Sequence, residues 1–495
     1  MRIHADSIMK RPAVLLTVAL ALSPAAAAQE TLPHLAELKE GWNALAPGGR
    51  TSCARGGDYR FFARRGASDR LLVYFMGGGA CRNGRDCEPG RPLFQPDVES
   101  QPDLQHGIFD ITQSQNPFAA HSMVVVSYCT GDVHLGDQDT TYIIQDDRGS
   151  RQLTIRHRGQ VNAMSALDWI HANFDAPRQI VVAGGSAGSI ATPFYANLIA
   201  QHYRQARVIG LADDGGAFQG LVRPGVALGP RNWGMPEVLQ RHPGWERAIG
   251  PAIVDLNINA ARTAANLELY HVDHAYDIAQ RSRLAREGTL DPDVLSLLRS
   301  TNRAIHERVP AYRSFTLGGS HHQTLYTAMF HTYMTGRHRF RDWIAAIVAG
   351  DTVPTVDCDE CRRSEFAYSA TDVKIIERAI ELLSAPGVWS AQDPLQAPCA
   401  QLGTGRYSLR CGLWAAIQEL TGERSPLQHA PPAAWDVMYT VAERMAGAPV
   451  VNQVSQVELL RVYNNQPGMT LAEILAVLHE SRDRVRGGAA RDPEI

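Results

Sequence analysis

Gly184-Gly185-Ser186-Ala187-Gly188 centres a serine in a G-x-S-x-G pentapeptide. It follows the apolar run Gln179 to Ala183 directly and leads into a helical stretch, the strand–turn–helix setting of a nucleophile elbow. Such a turn forces the serine into strained backbone angles and leaves no room for bulky neighbours. The helix that follows favours negative charge developing at its N-terminus. A glycine-rich phosphate loop is the plain alternative. The pentapeptide has no Lys or Arg, however, and lacks the G-x-G-x-x-G spacing. Ser186 is therefore the expected nucleophile of an acyl transfer. A second glycine cluster, Gly77-Gly78-Gly79-Ala80, follows the apolar run Leu71 to Met76. Backbone N–H groups near Gly78 and Gly79, with that of Ala187 after the serine, are the expected oxyanion hole.

The acid and base are harder to read. Asp213 and Asp214 follow the apolar run Val208 to Ala212, at a strand's C-terminal end where active-site loops gather, and are candidates by position. Asp132 and His134 in CTGDVHLGD are two potential metal ligands, too few for a site without others. They are read as shaping a loop near the site's mouth, with His134 placed to touch substrate. Cys358 and Cys361 form a C-x-x-C with no second pair at zinc-ribbon spacing, so a structural disulfide is the expectation. No metal and no cofactor are called for.

Positioning these residues requires a sheet. Leu71–Met76, Ser122–Tyr128, Gln179–Ala183 and Val208–Ala212 are unbroken apolar runs, suited to strands buried on both faces of a parallel sheet. Val161, Met164, Leu167, Ile170 and Phe174 recur at helical spacing between two of them. The alternation argues for a doubly wound, mostly parallel α/β sheet over residues 29–355. Beyond 355 the pattern is helical, with stretches at Leu413–Leu420, Trp435–Met445 and Val457–Tyr463, a helix over Val373 to Leu383 capped by Thr371, and a capping box at Thr470 and Glu473. Residues 356–484 are read as a helical C-terminal domain and 485–495 as a disordered tail. Pro193, beyond the first turn after Ser186, is expected to kink that helix or delay its start.

Lys10 and Arg11, the apolar run Val14 to Leu22 and the small residues Ser23 to Ala28 read as a signal peptide over residues 1–28. Export suits the eight cysteines, which fit four disulfides; Cys81 with Cys87 and Cys399 with Cys411 are near enough to close small loops. The net charge of −3 supplies no basic excess for a nucleic-acid or membrane partner. A secreted or periplasmic location follows.

The stretches LLVYFMGGGACRNGRDC (Leu71 to Cys87), SYCTGDVHLGD (Ser127 to Asp137), GGSAGS (Gly184 to Ser189), AYDIAQ (Ala275 to Gln280) and GGSHHQTL (Gly318 to Leu325) resemble the pectinacetylesterase family, which includes the Notum-type carboxylesterases. The resemblance spans residues of about 50–350. It implies an α/β-hydrolase-like fold and a metal-free Ser-Asp-His triad that deacylates esters, often O-acetyl groups on a polysaccharide. Carried over, Ser186 is the nucleophile and Asp277 the acid. The base lies in GGSHHQTL, where the family has a single histidine; aligning on Leu325 selects His322 and aligning on Gln323 selects His321, and His322 is the expectation. Arg82 stands where the family carries an aromatic residue, making the rim of the oxyanion loop more polar. The expected function is a serine carboxylesterase acting on an acetylated polysaccharide or a related small ester. Two alternatives are a long-chain acyl esterase or thioesterase and a non-catalytic secreted binding protein on the same scaffold.

Overall fold

The computed structural model describes residues 32–489 except 90–92, 101, 147–148, 219–230, 247–251, 290–291, 360, 394–398, 400–404, 424–429 and 446–455. The signal-peptide reading of residues 1–28 and the last six positions of the expected tail lie outside the described residues.

An eight-stranded sheet organises the chain, in the order β1 (Trp42–Leu45), β2 (Phe61–Arg64), β4 (His121–Val126), β3 (Ala67–Phe75), β7 (Gln179–Gly185), β8 (Arg207–Asp213), β9 (Leu267–His274) and β10 (Arg313–Leu317). From β4 to β10 every pairing is parallel; β1 and β2 add an antiparallel edge. Alternate residues of each central strand enter opposite cores, as the twofold strand period requires. Leu71, Val73 and Phe75 of β3, with Ile180 and Val182 of β7, pack on one face with Ala191, Phe194 and Ile199 of the helix Ala187–His202. Leu72, Tyr74, Val181 and Ala183 pack on the other face with Phe340, Trp343 and Ile347 of the helix Phe340–Ala349. Burial on both faces is why these strands read as unbroken apolar runs.

The four expected strands are present as β3, β4, β7 and β8, and the helix over Val161 to Phe174 as Gly159–Asn173. The sequence reading passed over the edge strands β1 and β2, the strands β9 and β10, and a hairpin of β5 (Gln138–Asp146) and β6 (Gly149–His157) that stands outside the sheet. Of its two readings of Pro193, a kink or a delayed start, the delayed start is not borne out. The helix starts at Ala187, directly after the serine, and carries Pro193 within it.

The helices Ala370–Ser384, Leu409–Thr421, Pro432–Arg444, Gln456–Asn464 and Leu471–Ala489 surround a core of their own, including Ile376, Leu413, Val437, Leu460 and Val477. The first is capped by Ser369 in a capping box with Asp372, not by Thr371. Thr470 and Glu473 do form the capping box of the last, through Thr470 N–H and Oγ1 donating to Glu473 and Glu473 N–H returning to Thr470. That helix runs on to Ala489 with Val485 buried, so residues 485–489 are helical, contrary to the disordered tail expected of them. Residues just before these helices are tied to the sheet domain: Val356 bridges to Phe315, and Glu365–Phe366 pairs with Tyr333 and Met334.

Four disulfides join Cys53 to Cys129, Cys81 to Cys87, Cys358 to Cys361 and Cys399 to Cys411. They fit an oxidising compartment. No helix among the described residues is long and apolar enough to cross a membrane.

Candidate active site

Ser186 sits between β7 and the helix Ala187–His202 with φ 53° and ψ −115°, a conformation that costs a non-glycine residue about 1–3 kcal/mol. The glycines around it are required by close approach. A Cβ on Gly188 would lie 2.0 Å from the Phe75 carbonyl oxygen, and one on Gly184 would lie 2.5 Å from the Gly188 carbonyl oxygen. Ser186 N–H donates to the Asp213 carbonyl at 2.8 Å, which ties the elbow to β8. The elbow therefore has the geometry that its sequence setting demanded.

The loop Gly77–Ala80 leaves the end of β3. The Gly78 carbonyl accepts from Gln95 N–H at 2.8 Å, and the Gly79 carbonyl accepts from the Tyr128 hydroxyl at 2.8 Å. Both carbonyls are thereby occupied, which fixes the orientation of the intervening peptides. Gly79 has φ 75°, the left-handed region that favours glycine. Ser186, Ala187, Gly79 and His322 line one cavity of about 140 Å³. Gly78 lines a second cavity instead, of about 560 Å³, which also reaches His322.

Asp277 is fully buried and caps the helix Ile278–Arg286, accepting from Ala279 N–H at 2.8 Å and Gln280 N–H at 2.9 Å. Its other oxygen accepts from the Gln280 side chain at 3.0 Å and lies 2.7 Å from His322 Nδ1. Burial opposes the Asp277 charge, but His322 and these hydrogen bonds hold the carboxyl below its ordinary range. Burial alone would lower the His322 imidazole; the Asp277 carboxylate, helped by Asp214 and Asp213, raises it to about 9.

His321 faces the other way. It is buried, packs edge-on to Trp435, and its Nδ1 lies 3.3 Å from both the Ser364 and Tyr439 hydroxyls. Burial holds its imidazole well below the ordinary histidine value.

Asp213 and Asp214 serve the loop after β10 that carries both histidines. One Asp213 oxygen accepts from Thr324 N–H and Leu325 N–H, each at 2.8 Å. Asp214 accepts from Gln323 N–H, and from His274 through its backbone N–H and Nδ1, each of the latter at 2.7 Å. Burial pushes Asp214 well up, with Asp277 and Asp213 adding to it, and pushes His274 down to about 4. Asp214 also lines the Ser186 cavity.

The reading of His134 as a substrate contact is overturned. The ring is buried, its Nε2 lies 2.8 Å from the Met76 carbonyl, and it packs against Phe75 and Tyr128. It thus anchors the base of the Gly77–Ala80 loop. Asp132, pushed up to about 6 by burial, accepts from the Thr130 hydroxyl at 2.6 Å and from Gly159 N–H at 2.7 Å, holding the start of the helix Gly159–Asn173. Cys358 and Cys361 are joined as a disulfide, not free as zinc ligands.

Arginines were the part of the cavity that sequence reasoning left out, Arg82 excepted. Arg283 and Arg286, three residues apart on the helix behind Asp277, line it with Arg82. Glu287 pairs with Arg82 and, at 2.9 Å, with Arg283, while Arg286 is exposed at the mouth. Their helical spacing is a signal only once Asp277 is known to start the helix.

Residues 49–224 match the sequence model of the pectinacetylesterase family, bearing out the resemblance carried by the stretches from Leu71 to Ser189. The stretches around Asp277 and His322 lie beyond the matched span. No curated protein matches the chain. Among solved structures, that of the Wnt deacylase Notum from Drosophila is similar at 17% identity with a TM-score of 0.45, covering 62% of this chain and 94% of that one.

Proposed function

We propose that the chain is a secreted or periplasmic serine carboxylesterase that removes short acyl groups, O-acetyl foremost, from a polysaccharide or related small ester. The observation that carries this reading is the pairing of His322 Nδ1 with buried Asp277 at 2.7 Å, in a ring that shares a cavity with the strained Ser186. A nucleophile, an orienting carboxylate and an imidazole, in this chain order, are the parts of a hydrolytic triad.

In the proposed cycle, His322 Nε2 takes the Ser186 proton as Oγ bonds to the ester carbonyl carbon. Asp277 fixes the tautomer that leaves Nε2 free to accept and stabilises the resulting imidazolium. The backbone N–H groups of Gly79 and Ala187 are the donors we assign to the oxyanion, with Gly78 beside them. The tetrahedral intermediate collapses, the ester C–O bond breaks, and His322 returns the proton to the departing alcohol. Water, deprotonated by His322, then attacks the acyl carbon; the carboxylic acid leaves and Ser186 regains its proton.

Cavity size supports a short acyl group. The Ser186 cavity holds about 140 Å³. A cavity of about 150 Å³ accommodates benzene, so a long acyl chain would have to lie outside it. Hydrolysis of p-nitrophenyl esters from acetyl to palmitoyl, by wild type and Ser186→Ala with fluorophosphonate labelling of both, tests the proposal. Activity that peaks at acetyl and disappears with labelling in the variant is expected. A peak at long chains would select the long-chain alternative. Absent labelling of the oxidised, folded wild type would select the binding-protein alternative.

A further inference from the structure

Arg283 and Arg286 stand three residues apart on the helix Ile278–Arg286, the spacing that puts two side chains on one helix face. The element that starts at Asp277 therefore also brings two guanidinium groups to the Ser186 cavity. Arg82, directly after Cys81 of the oxyanion loop, joins them from a distant part of the chain. All three line the cavity together with Ser186, Gly79 and Ala187.

Two carboxylates answer two of the three. Both Glu287 oxygens accept from Arg283 Nη1, at 3.0 and 2.9 Å, and Glu287 also pairs with Arg82. Asp86 accepts from Arg82 Nε at 2.8 Å. Arg283 is further fixed by donating to the Ala217 carbonyl at 2.9 Å. Asp214, another carboxyl of the lining, has its oxygens taken by Gln323 N–H and by His274. Arg286 is exposed at the mouth and makes no ion pair or hydrogen bond with a described residue. Its guanidinium stays charged in any case. The described lining thus holds one cation with no carboxylate of its own.

An acetyl group ends in a methyl and offers a guanidinium nothing. A carboxylate matches the planar fork of an arginine and bonds to it with charge assistance. A succinyl group is close to benzene in size, so in a cavity of about 140 Å³ its far end reaches the mouth. The larger neighbouring cavity repels such a group, because its described lining has Asp97, Glu99 and Asp103 and neither Lys nor Arg.

We infer that the Ser186 cavity accepts, besides acetyl, short acyl groups that end in a carboxylate, with Arg286 as the specificity-determining residue. Arg82 and Arg283, braced by Glu287 and Asp86, form the guanidinium wall behind it. The substrate class is the half-ester of a short dicarboxylic acid. This rests on the esterase reading, which supplies the reaction. Ser186 Oγ bonds to the ester carbonyl carbon, the alcohol leaves with the proton from His322, and water releases the dicarboxylate. The terminal carboxylate makes and breaks no bond; it positions the acyl group.

The test uses full-length, oxidised protein and compares hydrolysis of ethyl hydrogen succinate with that of ethyl succinamate, its neutral isostere. A second pair, O-acetylglycolate and ethyl acetate, places the carboxylate on the alcohol side. Wild type is expected to favour the hemisuccinate about tenfold in kcat/KM, the size of one charge-assisted contact, and the preference is expected to shrink as salt rises. Arg286→Gln is expected to remove most of that preference and Arg286→Lys to keep part of it. A purely structural defect would slow both succinyl esters alike and leave their ratio standing. Equal rates for the two in wild type, or a ratio unchanged in Arg286→Gln, overturn the inference. So does a larger preference within the acetyl pair, which would assign the carboxylate to the alcohol. If no ester is hydrolysed, ethyl acetate included, the esterase reading fails by itself. Calorimetric titration of both succinyl esters into Ser186→Ala then decides the inference: tighter binding of the hemisuccinate is expected, and equal binding overturns it.

Discussion

His321 and His322 are adjacent in the chain and occupy opposite environments. His322 meets Asp277 at 2.7 Å and is raised to about 9, while His321 is packed against Trp435 and held neutral. Replacing His322 by Ala is expected to lower kcat by at least about 10³-fold and abolish fluorophosphonate labelling. Replacing His321 by Gln is expected to keep labelling. Equal losses in the two variants would contradict the assignment. The pH profile follows from the same pair. A general base works only when neutral, so kcat/KM rises with pH through the His322 pKa. Its limb is expected above the ordinary histidine value of about 6.5, toward about 9. In Asp277→Asn the carboxylate's support is gone and burial remains, so the limb is expected to move down, with kcat reduced by up to about 10⁴-fold. A wild-type limb at or below about 6.5 would refute the coupling.

Elements hold the reacting groups through backbone contacts that admit little change. The Gly188 Cβ that alanine would add falls 2.0 Å from the Phe75 carbonyl, a rigid atom at the end of a central strand. Gly188→Ala is expected to lose about 3 kcal/mol, the upper end of overpacking costs, in urea denaturation; a change below about 1 kcal/mol would show that β3 and the helix can part. Asp213 acts as a positioning residue, since one of its oxygens gathers the N–H groups of Thr324 and Leu325 behind His322. Asp213→Ala is expected to lower kcat at least tenfold with far-ultraviolet dichroism and KM preserved. An unchanged kcat would mean that the loop is set by other contacts.

At the scale of the molecule, chain entropy ranks the disulfides. Cys53–Cys129 closes a separation of 76 residues, across β2, β3 and β4, against 12 for Cys399–Cys411. Loop-closure entropy gives the longer link roughly 4–5 kcal/mol and the shorter roughly 3 kcal/mol. Paired serine variants are expected to lower the denaturation midpoint in that order, and the reverse order would point to enthalpic effects. The C-terminal helices couple to the site through one seam. Tyr439 meets Ser364 at 2.8 Å, Ser364 donates to the Gly318 carbonyl at 2.8 Å, and Arg363 pairs with Glu443 at 2.8 Å. This seam backs the loop that carries both histidines.

Sequence by itself determined what depends on local chemistry. Uninterrupted apolar runs announced strands buried on both faces, and β3, β4, β7 and β8 stand where those runs lie. Gly184, Gly185 and Gly188 around Ser186 announced the elbow, because only small residues fit the close backbone approach there. Asp277 was legible only through resemblance: locally it is one more helix cap, and caps are common. The choice between His321 and His322 belonged to tertiary structure, because it depends on which ring meets a carboxylate 45 residues earlier in the chain. So did the fates of Asp213, Asp214 and His134, whose chemistry suggests catalysis and whose partners are backbone groups of distant loops.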